Sequence, residues 1–252
     1  MFIQDVIVSS NKLIADNTYI IEVRGGDLVD DLKPGQFFNI LVNESSYPLL
    51  RRPFSICDVR DDSILFMYKI VGEGTAIIAG KKPGNKINLL GPLGNSFEIK
   101  KDTDHLIILG GGIGIAPFPF LIRTLHVNLS YSVLFGVRNK KEAHSFGLNN
   151  IIYSSDDGSI GLNGNVIQLL ENHLSEIKYE NIQIVACGPN AMFRSLGDFV
   201  KKRNLDCTVS MESAMACGFG ICQGCPIEYK NDETYKLICK DGPVFNIQDI
   251  KI

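Results

Sequence analysis

Four of the seven cysteines fall within 23 consecutive positions, as Cys217-x4-Cys222-x2-Cys225 with Cys239 after thirteen further residues. No other feature of the chain narrows its chemistry so far. Four thiolates at this spacing can wrap a compact [2Fe–2S] cluster. Gly218, Gly220 and Gly224 lie between them; without side chains they permit positive φ angles and let backbone N–H groups approach the sulfides. Two other readings stand beside this one. A structural zinc site also takes four thiolates, although its usual pairs are C-x2-C on both sides and Cys239 stands alone. Unligated thiols are the third possibility, as Cys57, Cys187 and Cys207, scattered elsewhere, illustrate. A disulfide framework fits poorly with an odd count. The start, Met1-Phe2-Ile3-Gln4-Asp5, has no basic segment leading into an apolar run, and no stretch approaches the length of a spanning helix. The chain therefore reads as cytoplasmic, without a membrane, in a compartment where disulfides are rare.

At 252 residues, with 45% hydrophobic and 21% charged residues, the chain has material for two cores and a small appendage. A net charge of −3 gives no electrostatic reason to expect nucleic acid as a partner. Residues 1–100 read as an antiparallel β-barrel. Runs rich in β-branched and aromatic residues, Asn17–Val23, Gln36–Val42 and Ser63–Ile70, are separated by turn-formers such as Lys33-Pro34-Gly35 and Lys82-Pro83-Gly84-Asn85. The one helical candidate there is Gly74–Ala79. Residues 101–205 alternate strands (His105–Leu109, Tyr131–Phe135, Ile151–Tyr153, Ile182–Ala186) with helices (from Pro117 to about Leu125, Val166–Leu174, Ala191–Arg203), the pattern of a parallel α/β sheet. Residues 206–252 carry the cysteines and little periodicity. The expected fold is thus multi-domain α+β: a barrel, a nucleotide-binding α/β domain, and a small C-terminal iron–sulfur region.

Two further groups of residues carry chemistry. Arg52-Pro53-Phe54-Ser55 opens a strand-like run and by itself is a weak string, equally readable as an edge arginine beside a core phenylalanine. Met67-Tyr68-Lys69 and the helix start at Gly72-Glu73-Gly74-Thr75 follow closely enough to line one pocket with it, and the helix start offers N–H groups to a phosphate. Gly110-Gly111-Gly112-Ile113-Gly114 joins a buried strand to a helix, the context of a dinucleotide-binding turn, although Pro117 stands where G-x-G-x-x-G has its third glycine. Cys187-Gly188-Pro189 ends a later strand at the carboxyl edge of the same sheet, where open α/β sheets bind ligands. The bland alternatives are a strand-capping turn and an inert buried cysteine.

The barrel with R-x-[YF]-[ST], followed by an α/β domain, resembles the ferredoxin–NADP reductase superfamily. The resemblance implies FAD in the barrel, with Arg52 on its phosphate, Phe54 near the isoalloxazine and Ser55 hydrogen-bonded to the ring; Phe54 replaces the commoner tyrosine. It implies a nicotinamide nucleotide bound by Gly110, Gly111, Gly112 and Gly114 and by Cys187-Gly188-Pro189, with Cys187 beside the ring. Arg138, Asn139, Lys140 and Lys141 would suit a 2′-phosphate, whereas Asp156-Asp157 would not. Within that superfamily the chain is most similar to the electron-transfer subunits of NAD-dependent (type 1B) dihydroorotate dehydrogenases. The strings are Arg51-Arg52-Pro53-Phe54-Ser55, Gly110–Pro117, Ser155-Asp156-Asp157-Gly158-Ser159, Met211–Gly218 and Cys239-Lys240-Asp241-Gly242-Pro243-Val244-Phe245. This resemblance implies NAD, and a [2Fe–2S] cluster held by Cys217, Cys222, Cys225 and Cys239. It also implies an FMN-containing catalytic subunit as partner, in a heterotetramer of two copies of each chain. Electrons from dihydroorotate would then pass from FMN through the cluster and FAD to NAD⁺, in pyrimidine biosynthesis. No residue here suggests a catalytic base of its own. The alternative is the subunit of another NAD(P)H-linked flavin/iron–sulfur reductase, ferredoxin- or sulfide-type. A self-contained oxygenase reductase would need a longer ferredoxin domain than 206–252 provides, and a redox sensor would need only one of the cofactors.

Overall fold

The computed structural model describes residues 1–43, 45, 47–230 and 234–252. Six antiparallel strands close into a barrel: β1 (Phe2–Ala15), β2 (Thr18–Arg24), β3 (Phe37–Leu41), β4 (Arg52–Arg60), β5 (Ser63–Lys69) and β6 (Lys86–Leu93), in the order β1-β2-β5-β4-β3-β6. β1 was not among the strands expected. It makes closure possible by serving two partners, its first half pairing with β6 and its second with β2. Inward residues, among them Ile21, Val23, Phe38, Ile40, Ile56, Phe66 and Ile78, form the barrel core. Ile78 comes from α1 (Glu73–Ala79), the expected helix.

Beyond the barrel lies a seven-stranded sheet of order β10-β9-β8-β7-β11-β12-β15. Its strands are β7 (His105–Gly111), β8 (Ser130–Val137), β9 (Ile151–Ser155), β10 (Leu162–Asn163), β11 (Ile182–Cys187), β12 (Asp206–Ser210) and β15 (Val244–Asn246). All neighbours run parallel except β15, which is antiparallel to β12. β7 and β11 are covered on both faces, which explains their unbroken apolar runs. The helices α3 (Val166–Glu176) and α4 (Asn190–Arg203) pack on one face through Leu170, Phe193 and Val200. α2 (Phe118–Thr124) packs on the other through Phe118 and Leu121. Asn165 caps α3 by accepting the N–H groups of Ile167 and Gln168. Strand order reverses at β7: the chain moves to β8 on one side and returns to β11 on the other. The crevice above that reversal is where such sheets take ligands.

The stretch after residue 205, which reads as aperiodic, contains more regular structure than its pattern suggests. It begins as β12 and ends as β15, both in the large sheet, and between them are the hairpin β13 (Pro226–Glu228) with β14 (Tyr235–Leu237) and the short helix α5 (Ile238–Asp241). The strands are too short for a period to show. Among the described residues no helix is long and apolar enough to cross a membrane.

Candidate functional site: two clefts and a cysteine loop

A cavity of about 430 Å³ lies between the barrel, the glycine-rich turn and the segment after β12. It is lined by Arg52, Pro53, Phe54, Ser55, Met67, Tyr68, Lys69 and Thr75, so both barrel motifs meet there. Arg52 and Ser55 come from β4, and Met67–Lys69 from the neighbouring β5. Arg52 is held in place by donating to the Leu50 carbonyl at 2.6 Å. Its guanidinium lies over Gly74, where a Cβ would come within 3.1 Å of Nε. Thr75 ties off the start of α1: its hydroxyl accepts from the N–H groups of Val71 and Gly72 and donates to the Gly72 carbonyl. Phe54 serves the core as well as the cavity, standing edge-on to Tyr68 at 5.7 Å. The Tyr68 hydroxyl donates to Asn11 Oδ1 at 3.0 Å, which fixes the ring, and burial pushes its pKa up to about 12. A mainly apolar cavity with one arginine in its lining suits a flavin.

A second cleft, about 650 Å³, continues from the first. Gly111, Gly112 and Gly114 line it together with Gly188 and Pro189, so the two glycine motifs face one another. They are pressed together closely. A Cβ on Gly114 would overlap the Cys187 carbonyl, and one on Gly111 would come within 3.0 Å of Pro189. Gly110 does not reach the cleft; it is buried beneath Ile115. Cys187 is fully buried and lines neither cleft; burial raises its thiol pKa, so it packs uncharged behind Gly188 at the end of β11 and offers no nucleophile. Ser154, near the end of β9 and lining the cleft, has a buried hydroxyl without a hydrogen-bond partner among the described residues. A buried polar atom facing an open cleft invites a polar ligand. Farther out stand Arg138 and Asp156, at the ends of β8 and β9.

Lys69 and Glu142 close the gap between barrel and sheet, with Nζ to Oε1 at 2.7 Å and both side chains largely sheltered. Burial alone would raise the Glu142 pKa, but hydrogen bonds and charge from Lys69 and Arg138 prevail and hold it below the usual range. Glu212 lines both cavities with its side chain open to them, and partial desolvation there raises its carboxyl. Neither Glu142 nor Ser210–Met215 stood out in the sequence as lining residues. They arrive from segments distant in sequence, and only the fold brings them to the clefts.

Cys217, Cys222 and Cys225 lie on one loop and Cys239 on α5, beyond the β13–β14 hairpin, and the four form two pairs. The Cys222 N–H donates to Cys217 Sγ at 3.4 Å, and the Cys239 N–H donates to Cys225 Sγ at 3.4 Å. Burial works against ionisation of Cys217, but donors from Cys222, Phe219 and Ile221 outweigh it and bring the thiol down to about 6. Cys239 is pushed up to about 12 by burial first and by its neighbour Cys225. Gly218 and Gly220 take φ of 81° and 91°, as the reach of the loop requires. Among the described residues no three potential ligands converge on a single point. Two pairs of thiols, three from the loop and one from α5, with N–H groups turned toward sulfur, fit a binuclear cluster. Cys222 is exposed, whereas Cys225 and Cys239 are buried.

Comparison with known proteins extends this picture. A family model described as the iron-sulfur cluster binding domain of dihydroorotate dehydrogenase B matches residues 212–251. The electron transfer subunit of dihydroorotate dehydrogenase B (NAD(+)) from Desulforamulus reducens is 32% identical, over 96% of this chain and 95% of its own. The subunit of the same name from Geobacillus kaustophilus is 34% identical, over 96% of each chain. Among solved structures, one described as the NADH-dependent reduced ferredoxin-NADP oxidoreductase, studied for flavin-based electron bifurcation, superposes with a TM-score of 0.84 at 24% identity. It covers 98% of this chain and 89% of that one, a likeness of fold.

Proposed function

The chain belongs to the family of electron transfer subunits of NAD-dependent dihydroorotate dehydrogenase B, and on that premise we propose that it carries electrons between FAD, a [2Fe–2S] cluster and NAD on behalf of a separate dihydroorotate-oxidising subunit. The observation that carries this reading is the arrangement of the two clefts and the cysteine loop around one segment, Ser210–Cys217. When bound, FAD supplies the exchange between a hydride of the nicotinamide and the single electrons of an iron–sulfur cluster.

The rest is work for the protein's own side chains. Arg52, fixed by the Leu50 carbonyl, would hold the flavin phosphates, while Pro53, Phe54, Ser55, Met67, Tyr68, Lys69, Gly74 and Thr75 shape the ring pocket and the start of α1. Gly111, Gly112 and Gly114 would let the backbone close on the dinucleotide, with Gly110 packing beneath. Gly188 and Pro189 would flank the nicotinamide end, with the buried Cys187 packed behind them. Cys217, Cys222, Cys225 and Cys239 would ligate the cluster, and the N–H donors around Cys217 favour its thiolate. We assign the flavin barrel to 1–100, the nucleotide-binding unit to 101–205 and the cluster-binding segment to 206–252, the last lending its two outer strands to the nucleotide-binding sheet.

The partner we infer is an FMN-containing dihydroorotate dehydrogenase catalytic subunit, two copies with two of this chain, in the cytoplasm. Exposed apolar side chains beside Cys222 (Phe219, Ile221 and Tyr235) support an approach of that partner at the cluster edge. The test is reduction of NAD⁺ by dihydroorotate with this chain and such a catalytic subunit from the same source. Turnover that needs both chains is the expected result. If the mixture is inert while this chain still passes electrons from NADH to a dye, the donor is some other reductant and the reading of the partner fails.

A further inference from the structure

Asn39 is fully buried in β3, opposite Pro53 of β4, and β3 and β4 form the wall of the flavin cavity. Its side chain lies on the outer face of the barrel, the face that Phe37 and Pro53 present to the cavity, and reaches under the cysteine loop. There Nδ2 donates to the Cys217 carbonyl at 3.4 Å, a contact spanning 178 positions of the chain. The same amide fills the space a Cβ on Gly218 would occupy, so the loop can lie this close only because residue 218 is glycine. Among the described residues Oδ1 has no hydrogen-bond partner. The backbone around Asn39 is also held: Arg51 donates to its carbonyl at 3.2 Å and to the Asn88 carbonyl at 3.2 Å. An apolar residue would suit a fully buried strand position better, and a buried amide with one half unpaired is retained at a cost.

We propose that Asn39 is a positioning residue for the iron–sulfur loop, its carboxamide pinning the first ligand, Cys217, to the barrel strand beside the flavin and placing an amide dipole against the cluster. The inference rests on the cofactor reading given above. It follows from position and charge distribution. Donors and dipoles near cluster sulfurs shift reduction potential, and a contact that anchors the loop to β3 sets the gap between cluster and flavin.

The test uses the full chain purified with both cofactors, in wild-type form and as Asn39→Ala and Asn39→Asp. The readouts are FAD and iron content, the electron paramagnetic resonance spectrum of the reduced cluster, and its midpoint potential from a redox titration. Both variants are expected to keep FAD and to show an altered cluster spectrum and a shifted midpoint. The shift for Asn39→Asp is toward more negative potential, because a carboxylate opposes the added electron. Loss of iron with FAD retained, in either variant, supports the proposal equally. An unchanged spectrum and midpoint in both variants overturns it. Loss of FAD together with iron in both also overturns it, since the residue would then be supporting the barrel rather than the loop. A wild-type chain that binds neither FAD nor iron would instead refute the cofactor reading underneath.

Discussion

The four cysteines differ in their surroundings although the spacing treats them alike. Cys225 and Cys239 are buried, Cys217 is half-buried, and Cys222 is exposed beside Ile221. Replacing Cys222 with serine alters a side chain at the rim and leaves the packing of the loop intact. Cys222→Ser is therefore expected to fold and keep its flavin but to lose the cluster, read as loss of the iron–sulfur absorbance. NADH-to-dye electron transfer, which needs only the flavin and nucleotide clefts, should remain within about twofold of wild type. A full iron–sulfur spectrum in that variant would remove Cys222 from the ligand set. The same unevenness appears among the glycines: Gly114 lies against a carbonyl, whereas Gly112 has open space where its Cβ would be.

At the scale of elements, the turn after β7 and the end of β11 act as one unit, because Gly114 and Cys187 leave no room between them. Gly114→Ala must push these segments apart, and overpacking of this kind costs about 1–3 kcal/mol. The expected outcome is a rise of at least tenfold in the KM for NADH, with flavin content unchanged and a lower melting temperature. An unaltered KM would mean that the dinucleotide does not sit over this turn. The elements that sequence alone made legible are those with strong periodicity or punctuation: β5, β7, α3, α4 and the glycine turns. β1 was hidden because most of its fourteen residues are exposed or half-buried, and irregular pairing at Val8–Ser10 and Leu13–Ala15 breaks the alternation. β13, β14 and β15 are three residues each, below the length at which a period can register. The site divides in the same way. Contiguous motifs such as Arg52–Ser55 are visible in one dimension, but Asn39 beside Cys217 and Lys69 beside Glu142 are products of the fold.

For the whole molecule, the Lys69–Glu142 pair is an ionic link between barrel and sheet, beside Arg123–Asp58 at 2.8 Å, and is reinforced by the Asp16 N–H donating to the Lys141 carbonyl at 2.9 Å. Glu142 is held below the ordinary carboxylate range in the folded protein, so it stabilises the fold above its unfolded pKa and that contribution is lost as pH falls through the folded value. Glu142→Gln is expected to lower stability by about 1–2 kcal/mol near neutrality, between the values for exposed and buried pairs. The deficit should shrink as pH drops from about 5 toward 3, since carboxylates titrate there. Denaturant titrations of wild type and variant at several pH values would show this convergence; parallel curves would mean that Glu142 contributes through packing alone.

The cysteine loop leaves the large sheet at the end of β12 and re-enters it at β15, and the Met211 N–H donating to the Pro243 carbonyl at 2.8 Å ties the two ends together. The entropy of closing so long an excursion is thus met by a backbone ladder rather than by iron. The stem of the loop is therefore expected to align without metal. A cluster destroyed by oxygen would leave behind a stem already aligned for repair, so that replenishing iron and sulfide is a local refilling rather than a second act of folding.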